Sequence, residues 1–518
     1  MNMFKTWRSD AQSSLVVFLV ALPLCLGIAL ASNAPLASGL FAGIIGGIVV
    51  GFLSGSHVSV SGPAAGLTVI VVNSIAELGA FEAFTVAVFV SGLIQILFGV
   101  LKGGVIGNYF PNSVIKGMLA AIGIILILKQ FPHAVGYDTE FMGSESFLQS
   151  DGENTFSGLL KSFNALHWGA IVISSFSILL MIGWEKLAAK GYSFFKLFPG
   201  ALAAVFCAVV FNEIFIAAGS PLTLDTSHLV ALPFEGGFNE ILANVRMPDW
   251  SMLTNPVVYK VAFTIALVGS LESLLSIDAA DKLDKSGRVT SKNQELFAQG
   301  IGNTLAGLVG ALPITAVIVR TSANVAAGAK SKYSAVLHGC WLLLCVMLIP
   351  NLLNKIPLSA LAAVLILVGY KLTKPALIKS VYQKGWNQFT PFAVTIIAIL
   401  LTDLLVGIGI GMVVGLIFTI RSNMQKAIVL VEDKESYLVR FHKDTTFLHK
   451  AHLIKTLERI PNNSHVILDG ERVFIDEDII ELVEDFVCNC EKRNIAVTLS
   501  KSNLAVNRLF KENLYGNN

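Results

Sequence analysis

Long apolar runs dominate this chain and limit the folds that it can adopt. The 518 residues are 54% hydrophobic and only 14% charged. A soluble chain could not bury so much apolar surface, whereas a helix that crosses a bilayer needs about 20 apolar residues. Fourteen runs approach that length, at 13–32, 36–54, 62–78, 84–101, 112–131, 168–183, 197–218, 256–277, 294–311, 313–328, 335–353, 356–373, 390–404 and 405–420. The sequence therefore predicts an α-helical polytopic membrane protein with fourteen spans, embedded in a lipid bilayer.

Two of these spans begin at a break that contains proline. Residues 61–68 read Ser-Gly-Pro-Ala-Ala-Gly-Leu-Thr, and residues 312–315 read Leu-Pro-Ile-Thr. Glycine and proline disfavour a helix interior, but proline is well tolerated as the first residue of a helix. We therefore expect helices that start partway through the membrane, at Pro63 and at Pro313.

The two breaks open the third and the tenth span, which correspond when fourteen spans divide into seven plus seven. An odd number of spans in each repeat inverts the second copy relative to the membrane. Inverted repeats with interrupted helices in matching positions are typical of secondary transporters, whose substrates bind near the midplane. The sequence thus predicts a seven-plus-seven inverted repeat with a central binding site.

The charges of the loops predict the orientation. If the N-terminus is cytoplasmic, alternate loops should be rich in lysine and arginine. They are, and the opposite loops carry acids such as Asp138, Asp225 and Asp249. We therefore predict a multi-pass protein of the cell membrane (plasma or inner) with both termini in the cytoplasm. The net charge of +2 is too small to indicate a nucleic-acid partner.

The composition changes near Arg421, and the tail that follows is charged and amphipathic. Strand-like runs lie at 437–441, 466–468 and 496–499, and helical patterns lie at 449–459 and 478–492. Alternating strands and helices indicate a small α/β domain. We therefore predict a membrane domain over 1–421 and a cytoplasmic α/β domain over 422–518.

The start of each interrupted helix could bind an anion. The first backbone N–H groups of a helix have no partner within it, and the helix dipole adds about half a positive charge there. Two such ends that meet at the midplane would form an anion site built from backbone. Small residues would let a ligand approach, and two threonines could donate hydroxyl hydrogen bonds: Ala64, Ala65, Gly66 and Ala316, with Thr68 and Thr315. The alternative is two proline-kinked helices that only pack on their neighbours.

Two charged residues lie inside apolar spans. An acid at membrane depth is costly and marks a pathway or coupling residue. Glu272 could therefore bind Na⁺ with Ser276 and carbonyls of the second break, or it could carry a proton. Arg320, two turns into the tenth span, could add positive field behind the anion site or form a structural ion pair with Glu272. The combined charges favour cation–anion symport, because Glu272 opposes an anion until a cation arrives.

The sequence contains no catalytic triad, no phosphate-binding loop and no cluster with the spacing of metal ligands. We therefore predict that the chain is not an enzyme and has no cofactor, with Na⁺ as a candidate coupling ion.

The chain resembles the SulP (sulfate permease) family of inorganic anion transporters over nearly its whole length. The residues that carry the resemblance are Ala21-Leu22-Pro23, Gly55-Ser56, Val60-Ser61-Gly62-Pro63, and the stretches 269–276 and 313–321. The resemblance implies a core domain that holds spans 3, 8 and 10 and moves against a gate domain. It also implies homodimers.

The tail is similar to a STAS domain, the fold of anti-sigma-factor antagonists. The similarity rests on Val466-Ile467-Leu468-Asp469 and Phe474-Ile475-Asp476. Such antagonists are phosphorylated on a serine that follows the aspartate, whereas Glu477 follows Asp476 here. We therefore predict that this switch is absent.

The eighth span, Gly-Ser-Leu-Glu-Ser-Leu-Leu-Ser, looks most like the bicarbonate-transporting branch of the family. In that branch an acid and a hydroxyl one turn later help to hold Na⁺, roles that the resemblance gives to Glu272 and Ser276. It also gives anion or ion contacts to three residues, Thr68, Thr315 and Ala316. Leu24 stands where many sulfate-type members have glutamine, which weakens a sulfate interpretation. The bicarbonate branch tends to have aspartate in place of Glu272, so both Na⁺ and H⁺ coupling stay open.

The leading hypothesis is a secondary active transporter of small inorganic anions, with bicarbonate first and sulfate second. A nucleobase–cation symporter shares the architecture, but a neutral base needs hydrogen-bond partners rather than the cationic field of Arg320. A passive anion channel or exchanger would need no cation. A membrane-anchored signalling scaffold that acts through the tail is the fourth hypothesis.

Overall fold

The chain folds into a series of apolar helices followed by a small α/β unit. The computed structural model describes residues 3–139, 142, 154–192, 194–195, 198–232, 238–424, 427–433, 436–470 and 474–499. The principal helices up to residue 424 are α1 (Met3–Ala31), α2 (Leu36–Leu53), α3 (Thr68–Leu78), α4 (Phe81–Val100), α5 (Asn112–Val135), α6 (Trp168–Ala189), α7 (Gly200–Ala217), α8 (Pro256–Leu283), α9 (Lys292–Val309), α10 (Ile318–Ala326), α11 (Tyr333–Leu348), α12 (Leu358–Leu372), α13 (Trp386–Leu401) and α14 (Leu404–Met424). Short helices in the connections are Thr155–Ser162, Phe238–Ala243, Pro350–Leu353 and Pro375–Tyr382.

Within the described part of the chain, nine helices are long and apolar enough to cross a membrane. They are α1, α2, α4 to α8, α14 and the stretch Leu358–Tyr382, which begins with α12. Shorter apolar helices contain α3, α11 and α13, whereas α9 and α10 belong to neither group. A multi-spanning helical protein is therefore as predicted, and the count of fourteen spans stays a prediction.

The two proline breaks form strands rather than helix starts. β1 (Ser61–Pro63) and β2 (Ile314–Ala316) pair antiparallel, with Gly62 opposite Thr315. After β1 the chain makes a 3₁₀ turn at Ala65–Leu67 before α3 begins, and α10 begins at Ile318. The expectation that these helices begin at Pro63 and Pro313 is therefore wrong. A two-stranded ribbon has only edge strands, so it tolerates a proline that cannot donate to a ladder.

The helices up to Met412 pack in two groups. In the first, α4 lies against α8 and α9, and α1 lies against α2, α10 and α11; in the second, α5 lies against α12 and α13, and α6 against α7 and α12. Glycines bring α4 and α9 into backbone contact. A methyl group added at Gly307 would lie 2.4 Å from the backbone nitrogen of Phe89, and one at Gly92 would lie 2.3 Å from that of Thr304. Close approach through small residues is a common way to pack membrane helices.

A buried carboxylate joins the segment after α5 to the loop after α7. Asp138 accepts hydrogen bonds from Nδ1 of His133 (2.5 Å) and Nδ1 of His228 (2.6 Å), and its side chain is 6% exposed. Burial alone would raise the pKa of Asp138, but the hydrogen bonds from the two histidines outweigh it and lower that pKa. The same hydrogen bond to Asp138 raises the pKa of His228.

The contacts divide the chain into two compact units, Met1–Met412 and Val413–Asn518, so the division falls within α14. The second unit has a four-stranded sheet in the order β3 (Ile428–Asp433), β4 (Ser436–Phe441), β5 (His465–Asp469) and β6 (Ala496–Leu499). β3 and β4 are antiparallel, and the other two pairs are parallel. Two helices, α15 (Lys450–Glu458) and α16 (Glu477–Cys490), pack against each other and share an apolar core with the sheet.

These elements lie where the sequence indicated strands and helices, except that β3 was not predicted. The domain boundary after residue 421 and the STAS assignment stay predictions, and residues 500–518 of the tail lie outside the described ranges.

The α4–α9 contact predicts a strong effect of Gly307→Ala. The added methyl group would meet the Phe89 backbone, so the helices must separate, and we expect a loss of about 1–3 kcal/mol of unfolding free energy. Thermal unfolding in detergent measures this loss. Gly183→Ala in α6 is the matched control, because no atom lies within 4 Å of its added methyl group. Equal unfolding temperatures for the two variants would contradict the packing argument.

The Asp138 cluster predicts a stability term that depends on pH. Because the pKa of His228 is raised on folding, its stabilisation is complete below about pH 6.5 and is lost as the pH rises through the folded pKa. The lowered pKa of Asp138 keeps the pair charged down to below about pH 4. Asp138→Asn should therefore cost about 1–3 kcal/mol at pH 5.5 and less at pH 8.5.

The measurement is the unfolding temperature of wild type and Asp138→Asn across that pH range. In a His228→Gln background, which lacks the titrating imidazole, the effect of Asp138→Asn on the unfolding temperature should depend less on pH. An effect of Asp138→Asn that is the same at pH 5.5 and pH 8.5 in the wild-type background would disprove the pairing of Asp138 with a protonated His228.

Candidate functional site

The centre of the site is the β1–β2 pair, and side chains from three helices hold it. All six strand residues are buried. Hydrogen bonds extend the pair at both ends, from the Ala64 nitrogen to the Pro313 oxygen (3.1 Å) and from the Val317 nitrogen to the Val60 oxygen (2.9 Å). Non-helical backbone at membrane depth must find its hydrogen-bond partners inside the protein. The strand pairing provides partners for N–H and C=O groups that a continuous helix would have satisfied within itself.

Asn303 of α9 clamps β2 from the side. Its Oδ1 accepts a hydrogen bond from the Ile314 nitrogen (2.6 Å), and its Nδ2 donates to the Ile314 oxygen (2.9 Å) and to Oε1 of Gln95 (2.7 Å). Gln95 in turn donates to Ser270 of α8 (3.3 Å). The amide of Asn303 thus fixes one strand residue completely and ties α9 to α4 at the same point.

Four more side chains hold the remaining strand ends. Ser273 of α8 accepts from the Ala316 nitrogen (3.2 Å), and Thr321 of α10 accepts from the Val60 nitrogen (3.0 Å). Gln299 of α9 donates to the Ser61 hydroxyl (2.8 Å), and Asn324 donates to the Val58 oxygen (2.9 Å). The sequence alone indicated none of these five contacts with the strand pair. The signal was present, since each is a polar residue on a buried helix face.

The predicted anion-contacting residues of the first break surround the start of α3. Ala64 is buried, whereas Ala65, Gly66 and Thr68 are half-buried. The hydroxyl of Thr68 donates to the Ala65 oxygen (2.8 Å), so its proton is used within this turn. In the turn at Ala65–Leu67, Ala65 and Gly66 are partly exposed and Leu67 is fully buried.

The second break is more deeply buried. Thr315 and Ala316 have no exposed surface, and the Ala316 nitrogen already donates to Ser273. Among the described residues, Oγ1 of Thr315 has no hydrogen-bond partner. A buried hydroxyl oxygen without a partner is a candidate ligand for a cation or a proton donor to an anion.

Glu272 lies directly against the first break. Its side chain is 5% exposed, and a methyl group added at Gly66 would lie 3.1 Å from Oε2 of the carboxylate. Ser276, one turn later on the same helix face, is also buried. The structure thus brings Glu272 to the turn that precedes α3, while α8 packs against β2 on the same side.

Arg320 lies behind β1 and is fully buried. Because α10 begins at Ile318, Arg320 is in its first turn and not two turns in, as the sequence suggested. Its Nη2 donates to Sγ of Cys25 (3.2 Å), and a methyl group at Gly62 would lie 2.1 Å from Nη1. No ion pair among the described residues involves Arg320. The structure therefore does not support the alternative of a structural ion pair between Arg320 and Glu272. A cation in the first turn adds to the positive end of the helix dipole.

Over the described ranges, no group of three or more His, Cys, Asp or Glu side chains is arranged to hold a metal ion. The chemistry of the site therefore rests on backbone amides, hydroxyls, one carboxylate and one guanidinium.

Interrupted helices that meet inside a bundle of apolar helices define a helical membrane transporter. The solved structure of SLC26A9 has the same fold, with a TM-score of 0.68 at 15% identity, covering 99% of this chain and 88% of that one. The transmembrane domain of a cyanobacterial bicarbonate transporter, BicA, matches with a TM-score of 0.52 at 22% identity, covering 80% of this chain and 98% of that one.

A model of the sulfate permease family matches residues 7–400, and the chain belongs to that family. The putative sulfate transporter YvdB of Bacillus subtilis is 26% identical over 92% of this chain and 82% of its own length. The bicarbonate transporter BicA of Picosynechococcus sp. is 27% identical over 82% of this chain and 72% of its own length. The chain is therefore an anion transporter of this family and not an enzyme. The predicted family and the prediction that the chain is not an enzyme are thereby confirmed.

The clamp around β2 predicts that Ser273→Ala destabilises the site. The substitution leaves the buried Ala316 nitrogen without an acceptor, which costs about 1–3 kcal/mol. Ser322→Ala is the matched control, because Ser322 is also buried but donates only to a carbonyl of its own helix. Unfolding temperatures in detergent compare the two. An equal, small decrease in both would show that the Ser273 contact contributes nothing.

Proposed function

We propose that this transporter is a secondary active carrier of small inorganic anions, with bicarbonate favoured and sulfate next. The observation that carries the proposal is the pair of helix starts, α3 and α10, held together by β1 and β2 in front of Arg320. Each helix start contributes unpaired N–H groups and about half a positive charge. Relatives named as bicarbonate and sulfate transporters support these two anions.

The anion lies between the two helix starts. Its contacts are the backbone and small side chains of both breaks, with hydroxyl groups and the field of Arg320 in support: Ala64, Ala65, Gly66, Thr68, Thr315, Ala316 and Arg320. The partial exposure of Ala65 and Gly66 supports this placement, because these two small residues leave room for a ligand near the main chain.

The coupling cation, Na⁺ or H⁺, is a co-substrate at Glu272. For Na⁺, the ligands are the Glu272 carboxylate and the hydroxyls of Ser276 and Thr315; oxygen donors of this kind suit a hard cation. The carboxylate beside the anion turn repels an anion until a cation neutralises it. Simultaneous occupancy is therefore favoured over either ion alone, which is the basis of symport.

The remaining parts of the proposal follow the family resemblance. Fourteen spans form a seven-plus-seven inverted repeat, in which a core domain carries the site and alternates against a gate domain. The protein forms homodimers in the plasma or inner membrane, with both termini and the STAS-like domain in the cytoplasm. The two groups of packed helices support this division, since α3, α8 and α10 fall with the first group.

Two alternative functions would give different results in the uptake test. A nucleobase–cation symporter would share the fold, but the fully buried guanidinium favours an anionic substrate. A passive channel or an exchanger would carry anions without any cation gradient.

The test is uptake of labelled bicarbonate and of labelled sulfate into proteoliposomes, with and without an inward Na⁺ or H⁺ gradient. We expect cation-dependent bicarbonate uptake in the wild type and a loss of about tenfold or more in Glu272→Gln, because the neutral side chain cannot couple the cation. Glu77→Gln is the matched control, since Glu77 is exposed and pairs with Lys260.

Cation-independent anion flux that survives Glu272→Gln would replace symport with a channel or an exchanger. Sulfate uptake alone would reverse the substrate order, and uptake of a nucleobase without either anion would overturn the proposal.

A further inference from the structure

The guanidinium of Arg320 and the thiol of Cys25 are in contact in the interior of the helix bundle. Nη2 of Arg320 lies 3.2 Å from Sγ of Cys25, and neither residue has any exposed surface. Glycines make the room on both sides. A methyl group at Gly62 would lie 2.1 Å from Nη1, and one at Gly43 would lie 2.6 Å from Sγ and 3.7 Å from Nη1. α2 and β1 therefore leave room at the point where the two side chains meet.

The other nitrogens of Arg320 make no hydrogen bonds to the described residues. Nε and Nη1 are both buried in this state. His338 of α11 is also fully buried, and the positive charge of Arg320 acts on its imidazole. The guanidinium is thus oriented by a thiol and two glycines, and the ion pairs of the described residues do not include it.

A thiol in this place does something that a carboxylate could not do. A neutral thiol accepts a hydrogen bond weakly and carries no charge, so it orients a guanidinium without cancelling its field. A carboxylate would form a strong charge-assisted pair and neutralise the cation. An uncancelled buried cation is costly to the protein unless an anion lies close to it.

We propose that Cys25 is a positioning residue, which fixes Arg320 behind β1 while leaving its positive charge available to the transported anion. This inference rests on the proposed function, because it concerns the field at the anion site between α3 and α10. It assigns to Cys25 the strength of that field and hence the preference between anions of different charge.

The role of Cys25 can be distinguished from general distortion of the site by comparing anions of different charge. The energy of an anion in a fixed field is proportional to its own charge. If a carboxylate at position 25 neutralises Arg320 and raises the KM for bicarbonate about tenfold, the apparent Kd for divalent sulfate should rise about a hundredfold. General distortion of the site would weaken both anions by similar factors.

The experiment measures uptake of labelled bicarbonate into proteoliposomes and its inhibition by monovalent nitrate and by sulfate, for wild type and Cys25→Asp. We expect the loss of sulfate inhibition to be about the square of the loss of nitrate inhibition. A cycle of Cys25→Asp and Arg320→Gln, followed by thermal unfolding in detergent, tests the contact itself. The Cys25→Asp substitution should be less destabilising in the wild-type background, where Arg320 is present, than in the Arg320→Gln background.

A second pair of variants covers the case in which Cys25→Asp does not fold. Cys25→Ser keeps an acceptor and should retain the wild-type KM within about twofold, whereas Cys25→Ala, of nearly the same size, should raise it about threefold or more. Cys207→Ala in α7 is the control, because this thiol is only half-buried and outside the site.

The results separate the inference from the function on which it rests. Anion uptake by the wild type, with equal factors for nitrate and sulfate or no difference between Cys25→Ser and Cys25→Ala, overturns only the role of Cys25. No anion uptake by the wild type overturns the proposed function and this inference together.

Discussion

The antiparallel pairing of β1 and β2 is the contact on which the rest of the site depends. Three residues from each half of the chain pair inside the helix bundle, and helices begin where the strands leave off. A continuous helix would have satisfied this backbone by itself. Because the breaks remove those hydrogen bonds, Asn303, Ser273 and Thr321 replace them from neighbouring helices. The polar side chains on these buried helix faces are therefore required because the helices are interrupted.

The electrostatics of the site follow from the same geometry. Two helix starts and Arg320 place positive potential on one side of the pair, and Glu272 places a negative charge against the turn before α3. At the low dielectric of a buried site such charges act strongly on one another and on any ion that enters. The helix starts and Arg320 attract an anion, and Glu272 attracts a cation. The residues proposed to bind the anion and the residue proposed to couple the cation are thus neighbours in the fold.

Much of this architecture could be predicted from the sequence, because apolar runs and proline breaks are local signals. The breaks at Pro63 and Pro313 were found, and Glu272 was recognised as an acid at membrane depth. The strands were not, since three-residue strands have no periodicity to detect. Counting α10 from Pro313 therefore placed Arg320 a turn too deep. The contact of Arg320 with Cys25 joins residues far apart in the chain, and no sequence pattern indicates it.

The strand pair also has a consequence for biogenesis. β1 and β2 are about 250 residues apart in the chain, so most of the membrane part must be synthesised and inserted before they can meet. Until then β1 carries backbone groups without their final partners, in a bilayer where such groups are costly. The closing of the strand pair is therefore a late event of assembly. A chain that stops before residue 314 lacks β2 and α10, so the strand pair can form only after both halves of the membrane part have been synthesised.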